Sequence, residues 1–225
     1  MKPIDTLPDV EYPESDGMPM AETEVHLEWT IYVRDILKWQ YREQQVYVGC
    51  DMFVYYVEGE PSACVAPDIF VVKDCDPGRR RIFQTWAEGR VPDVAIELTS
   101  RSTRRVDSLE KPQRYAQIGI KEYILFDPTV EYLQPPLQGF WLDGDAYVRI
   151  EPDASGALFS EALGIRMRLE DRDLVLYDVE TGERLYTRTE VAESDLDASK
   201  AESQAERNRR REAEAKRREA EAKRR

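Results

Sequence analysis

Histidine is almost absent from this 225-residue chain, with His26 the only one. Any Ser-His-Asp or Cys-His mechanism would have to run through that one imidazole, so nucleophilic catalysis of that type is set aside. Cysteine is also scarce. Cys50, Cys64 and Cys75 make an odd number without a CxxC pair, which argues against a zinc ribbon or disulfide framework and fits a reducing cytoplasm. No apolar run approaches the ~20 residues that a membrane span needs, and the acidic N-terminal stretch shows no basic-then-apolar signal pattern. Positive charge is outnumbered, 32 Lys and Arg against 45 Asp and Glu, for a net charge of −13. Residues 195–225 run the other way with 11 basic and 8 acidic side chains, which leaves −16 on residues 1–194. A body that acidic does not attract a polyanion as a whole, because phosphate neutralisation drives much of nucleic-acid affinity. Contact with nucleic acid would rest on local clusters: Arg79, Arg80, Arg81, Arg101, Arg104, Arg105 and the tail.

What is present suffices for a packed core, at 41% hydrophobic and 10% aromatic residues. Residues 1–20 are rich in Pro, Asp and Glu and read as a loose N-terminal arm, part of it packed. Residues 21–190 read as the folded domain and 191–225 as a charged helical tail. In the tail EAEAKRR occurs twice in succession. Its Glu, Ala, Lys and Arg favour helix, but it lacks the large apolar residues a coiled-coil seam needs, so a solvated, partly frayed single helix is favoured over a dimer zipper.

Apolar residues recur at three- and four-residue spacing over 23–45, which predicts a helix. VYVGCDMFVYYV at 46–57 and APDIFVVKD at 66–74 are strand material, and GRRRIFQTWAEG at 78–89 reads as a short helix or ordered loop. Gly119 is placed at a helix end, KEYILFDP supplies another strand, and GFWL, AYVRI, LVLYD and ERLYT read as antiparallel hairpins extending the sheet. This order predicts an α+β domain with a mixed central sheet.

The chemistry concentrates in residues 92–111, PDVAIELTSRSTRRVDSLEK. Val94, Ile96 and Leu98 alternate along a strand, and Glu97 sits in its middle, where a carboxylate needs a partner. Asp107 and Lys111 are four apart and share one face of a helix, although Pro112 disfavours helical geometry at Lys111. Upstream, Pro67-Asp68 opens an apolar strand. Acids on neighbouring strands can share one divalent ion through oxygen ligands, the chemistry Mg²⁺ prefers, and a nearby lysine can offset charge at a phosphate. Asp93 lies on the same strand as Glu97 and is given a structural role. Tyr115 and Trp86 are read as packing residues, and His26 as a core or surface residue, with the edge of the site as the alternative.

APDIFVV, VPDVAIELTSRST, Asp107, Lys111, Tyr115 and GIKEYILFDP, in that order, resemble the Uma-two family of restriction-endonuclease-like proteins in the PD-(D/E)XK nuclease superfamily. The resemblance covers roughly residues 20–190. It implies a restriction-endonuclease-like core, with Asp68 and Glu97 as metal-binding acids. The superfamily lysine normally stands two residues after the glutamate, where this chain has Thr99, and the family supplies it from the following helix as Lys111. The implied function is Mg²⁺-dependent hydrolysis of DNA, with Mn²⁺ able to substitute and a homodimer suited to cutting both strands. The alternative is a nuclease fold that binds DNA or protein without cutting and uses the charged tail.

Overall fold

The computed structural model describes residues 10–15 and 23–222. Of the N-terminal arm, 1–9 and 16–20 lie outside the described residues. In the described part Tyr12 meets the Tyr55 ring edge-on, and the Tyr55 hydroxyl donates to the Pro13 carbonyl at 2.5 Å.

The first helix, α1 (Glu24–Gln40), starts where the Thr23 side chain accepts the His26 N–H at 3.3 Å, an N-cap bond. It buries His26, Thr30, Val33, Ile36 and Leu37. It ends before the expected residue 45, because the Tyr41 N–H closes the last turn onto the Leu37 carbonyl and tight turns follow. The single strand expected over 46–57 is two, β1 (Val46–Cys50) and β2 (Val54–Tyr55), broken at Asp51, whose φ of 47° cannot continue a strand. Next come β3 (Cys64–Val65), β4 (Ile69–Lys73), β5 (Phe83–Gln84), α2 (Thr85–Glu88) and β6 (Val94–Leu98). A π-helical turn (Val106–Glu110) leads into α3 (Lys111–Ile118), which Gly119 ends at a φ of 88° that favours glycine. The body continues with β7 (Glu122–Phe126), β8 (Leu137–Asp143), β9 (Ala146–Ile150), β10 (Leu158–Ser160), β11 (Ile165–Glu170) and β12 (Asp173–Asp178).

The central sheet has six strands in the order β1-β4-β6-β7-β8-β9. It is mixed: β6 and β7 are parallel, joined by the crossover through α3, and the other pairs are antiparallel. Of the expected hairpins only β8–β9 extends this sheet. The segment 158–178 forms a separate antiparallel sheet, β10-β11-β12, and residues 183–187 contribute only one bridge, Tyr177 to Arg184. The apolar faces of β10, β11 and β12 are spent covering the central sheet: Leu158, Ile165, Met167, Leu174 and Leu176 bury against Ile96, Leu98, Ile124 and α1. Gly139 on β8 makes room for this, since a Cβ there would stand 2.7 Å from the Leu158 side chain. The other face of the sheet packs Ala95, Tyr123 and Leu125 with Tyr115 of α3. β6 is therefore buried on both sides, as an interior strand of a mixed sheet should be.

Glu122 is a second carboxylate inside this body. Burial pushes its pKa up, against hydrogen bonds donated by Ser160 and the Ala162 N–H. A carboxyl raised in the folded state stabilises the fold below its unfolded pKa, near 4.5, and loses that contribution as pH rises through the folded value. Glu122→Gln is therefore expected to raise Tm by a few degrees at pH 7, with the gap closing towards pH 4.5. Thermal melts across that pH range check it, and an unchanged or lowered Tm at pH 7 would show the charged form to be fully compensated.

Residues 186–225 form their own compact unit. Helix α4 (Arg188–Ala222) opens on a reciprocal capping box: Thr187 accepts the Glu190 N–H at 3.2 Å, and Glu190 accepts the Thr187 N–H at 2.7 Å. Among the described residues no helix is long and apolar enough to cross a membrane, and all three cysteines are free.

Candidate active site

The β4–β6 register pairs Ile69 with Ile96. Continued one residue, it sets Asp68 opposite Glu97, so two strands bring the two predicted acids together. Asp68 Oδ2 accepts the Leu98 N–H at 2.7 Å and lies 3.2 Å from His26 Nε2. Glu97 is fully buried, on the sheet face towards α3. Its Oε2 accepts from Lys111 Nζ at 2.6 Å, and its Oε1 accepts the Tyr115 hydroxyl proton. Lys111 Nζ also stands 2.9 Å from Asp107 Oδ1. That contact is an ion pair without hydrogen-bond alignment. Both Asp107 carboxylate oxygens are buried and lack a hydrogen bond among the described residues.

The expected conflict between Pro112 and a helical Lys111 does not arise. Lys111 is helical, with φ −59° and ψ −42°, because the preceding turn is π-helical: the Lys111 N–H bonds the Val106 carbonyl five residues back. Pro112 falls in the first turn of α3, where its missing N–H leaves no bond unmade. Lys111 and Tyr115, four apart, then share the helix face that looks onto Glu97.

Charge follows from this packing. Burial, then the neighbouring charge of Asp68, pushes the Glu97 carboxyl well above the usual range, and Lys111 opposes both. Burial also works to raise Asp68, but its hydrogen bond with His26, the Lys111 charge and the Leu98 N–H together hold it below its usual value. Burial disfavours the Lys111 ammonium, yet Glu97, Asp107 and Asp68 outweigh it and raise its pKa. Two acids are thus driven apart beside one cation, a pattern that marks functional sites more often than structural ones.

Tyr115 does more than the packing role expected of it, and His26 is both a core residue and at the edge of the site, the alternative reading. Tyr115 packs against Tyr123, but its hydroxyl also orients Glu97, and its spacing of four from Lys111 was the available signal. His26 is buried against Asp68, a long-range contact that nothing local in the sequence announces. Asp93 is structural, accepting from the Lys73 N–H and from Lys121 Nζ, each at 2.7 Å. Arg80 and Arg81 are engaged by Glu88 and Glu14.

A cleft of about 180 Å³ opens beside the acids, lined by His26, Thr99, Arg101, Thr103, Thr129 and Tyr132. Thr99 Oγ1 is buried there without a hydrogen-bond partner among the described residues. Asp127 holds the far wall, accepting N–H bonds from Thr129, Val130, Glu131, Tyr132 and Leu133. Asp127→Ala would strand several of these donors and is expected to lower stability by about 2–3 kcal/mol, read as a reduced urea midpoint with Asp127→Asn in between. A loss under about 0.5 kcal/mol would show that water replaces the carboxylate.

The site's donors are hard carboxylate oxygens. Among the described residues no group of three or more His, Cys, Asp or Glu side chains that could hold a metal is found, and Asp68 and Glu97 are the candidate oxygen donors. That fits Mg²⁺, which is usually held by one or two carboxylates and completed by water and substrate phosphate.

No curated protein matches the chain. A crystal structure described as "a putative nuclease belonging to DUF820" from Anabaena variabilis ATCC 29413 aligns at 13% identity over 75% of this chain and 80% of that one, with a TM-score of 0.41. The family described as "Putative restriction endonuclease", Uma2, matches residues 5–188. With most of its length matched, the chain belongs to the Uma2 family.

Proposed function

We propose that this protein is a Mg²⁺-dependent DNA endonuclease in which Asp68 and Glu97 hold the ion and Lys111 assists. The observation that carries this reading is the convergence of Asp68, Glu97 and Lys111 at one end of β6, from segments up to 43 residues apart in the sequence. An ion held there supplies an acidified water and charge neutralisation at the phosphate. Asp68, whose pKa the His26 hydrogen bond and the Lys111 charge help to lower, offers the more readily ionised ligand. Tyr115 fixes the orientation of Glu97. Lys111, drawn towards the acids, places positive charge where the phosphate becomes more negative during displacement. The cleft beside them, with Thr99 Oγ1 and Arg101, seats the phosphodiester. Mn²⁺ meets the same oxygen donors, and a two-fold pair of subunits would cut both strands.

The test is cleavage of plasmid and oligonucleotide by the purified protein under titration with Mg²⁺ and Mn²⁺, alongside thermal melts. Saturating ion is expected to raise stability by mass action, by about 2.7 kcal/mol at one hundred times the dissociation constant. Asp68→Asn should abolish that gain together with cleavage. A wild-type protein that neither cleaves nor gains stability would leave a binding module in place of an enzyme.

A further inference from the structure

Away from the carboxylates, a second pocket of about 350 Å³ lies along β1, the free edge strand of the central sheet. α1 contributes Arg34 and Lys38 to it, and the loop before β5 contributes Arg79 and Arg80. These cations are not equivalent. Arg80 is bound to Glu88 at 2.5 and 2.8 Å and lies over the Tyr47 ring at 4.4 Å, so it belongs to the wall. Arg34 makes one half-exposed pair with Asp35 at 3.0 Å. Lys38 and Arg79 make no ion pair among the described residues. Burial, then the repulsion of Arg34 and Arg79, lowers the Lys38 pKa against the pull of Asp35. Unbalanced positive charge gathered in a concave site is unusual on a body of −16. It would be relieved by an anion.

The pocket is joined to the catalytic end of the sheet. Cys50 and Met52, which line it, flank Asp51, whose N–H bonds the Asp68 carbonyl at 3.1 Å. Along α1, His26 stands at the acids, with Arg34 and Lys38 about 12 and 18 Å further on at 1.5 Å per residue. With a rise of about 3.4 Å per base pair, those spans match about four and five base steps of a duplex laid along α1.

We infer that Arg34, Lys38 and Arg79 form a clamp for the phosphate backbone of duplex DNA, flanking the cleavage site and independent of base sequence. The inference rests on the nuclease reading for the choice of DNA, but binding, not cleavage, decides it. The full-length Glu97→Gln protein, without divalent ion, is titrated onto a fluorescein-labelled 20-base-pair duplex at increasing NaCl. Each phosphate contact adds about 0.9 to the slope of log affinity against log salt. Adding Arg34→Gln, Lys38→Gln and Arg79→Gln together is expected to flatten that slope by about two to three. Arg149→Gln, on β9 at the opposite edge of the sheet, should leave it unchanged. Where the triple variant melts early, Lys38→Glu alone serves, with an expected change of about one. An unchanged slope, an equal loss in the Arg149 variant, or no duplex binding by the parent protein overturns the clamp. Cleavage by the wild type alongside an unchanged slope overturns the clamp and leaves the nuclease standing.

Discussion

Glu97→Gln is expected to keep the fold and lose divalent-dependent cleavage by on the order of 10³-fold, the scale of losing a central charge-stabilising group. The fold survives because burial already disfavours the Glu97 carboxylate. Glutamine has the same shape and presents a carbonyl oxygen to either Lys111 or Tyr115. What it cannot do is bind a cation as an anion. Cleavage rates under Mg²⁺ titration, with a melt of each protein, separate the two effects. A folded Gln variant that cuts at the wild-type rate would move the metal site away from β6. One that fails to fold would make Glu97 a structural acid.

Lys111→Met carries the second large effect, on stability and rate together. Among the described residues Lys111 is the one cation in contact with Glu97 and Asp107, and it also acts on Asp68. Removing it leaves buried acids facing one another, a situation that costs about 3–5 kcal/mol. The variant should therefore melt well below the wild type in chelator. Mg²⁺ should then recover more stability in the variant than in the wild type, because an ion would take up the role of the ammonium. Cleavage should fall about 10²-fold or more with the ion restored. Chemical denaturation with and without Mg²⁺ is the check. Equal stability in chelator would mean that the acids are neutral in the folded protein and that Lys111 is not their counter-charge.

The parts of this fold legible in the sequence were those with a local period. β6 shows the alternation of a strand, and Glu97 stands out as a carboxylate in its middle. Lys111 and Asp107 carry the spacing of four that one helix face requires, and the observed pair honours it despite Pro112. Asp68 was marked by its place ahead of a β-branched run. What stayed hidden depends on partners far along the chain. Nothing near His26 reveals that it faces Asp68, 42 residues away. The strands of 158–178 have the composition of hairpins, and composition does not say whether a hairpin lies beside a sheet or over it. Contact between Leu158 and the bare backbone at Gly139 decides that, and it is a matter of shape.

The parallel pairing of β6 with β7 also bears on how the protein is made. Every candidate catalytic side chain lies within the first 115 residues, and β7 (Glu122–Phe126) follows them in the chain. Until it arrives, the Thr99 N–H has no Phe126 carbonyl to bond and the Asp107 carbonyl has no Tyr123 hydroxyl, so the strand end and the turn that aim Glu97 and Lys111 are unheld. The antiparallel pair β1–β4 can form earlier, but the parallel neighbour must wait for the whole crossover. A growing chain thus holds the candidate acids and lysine before it has the scaffold that brings them together.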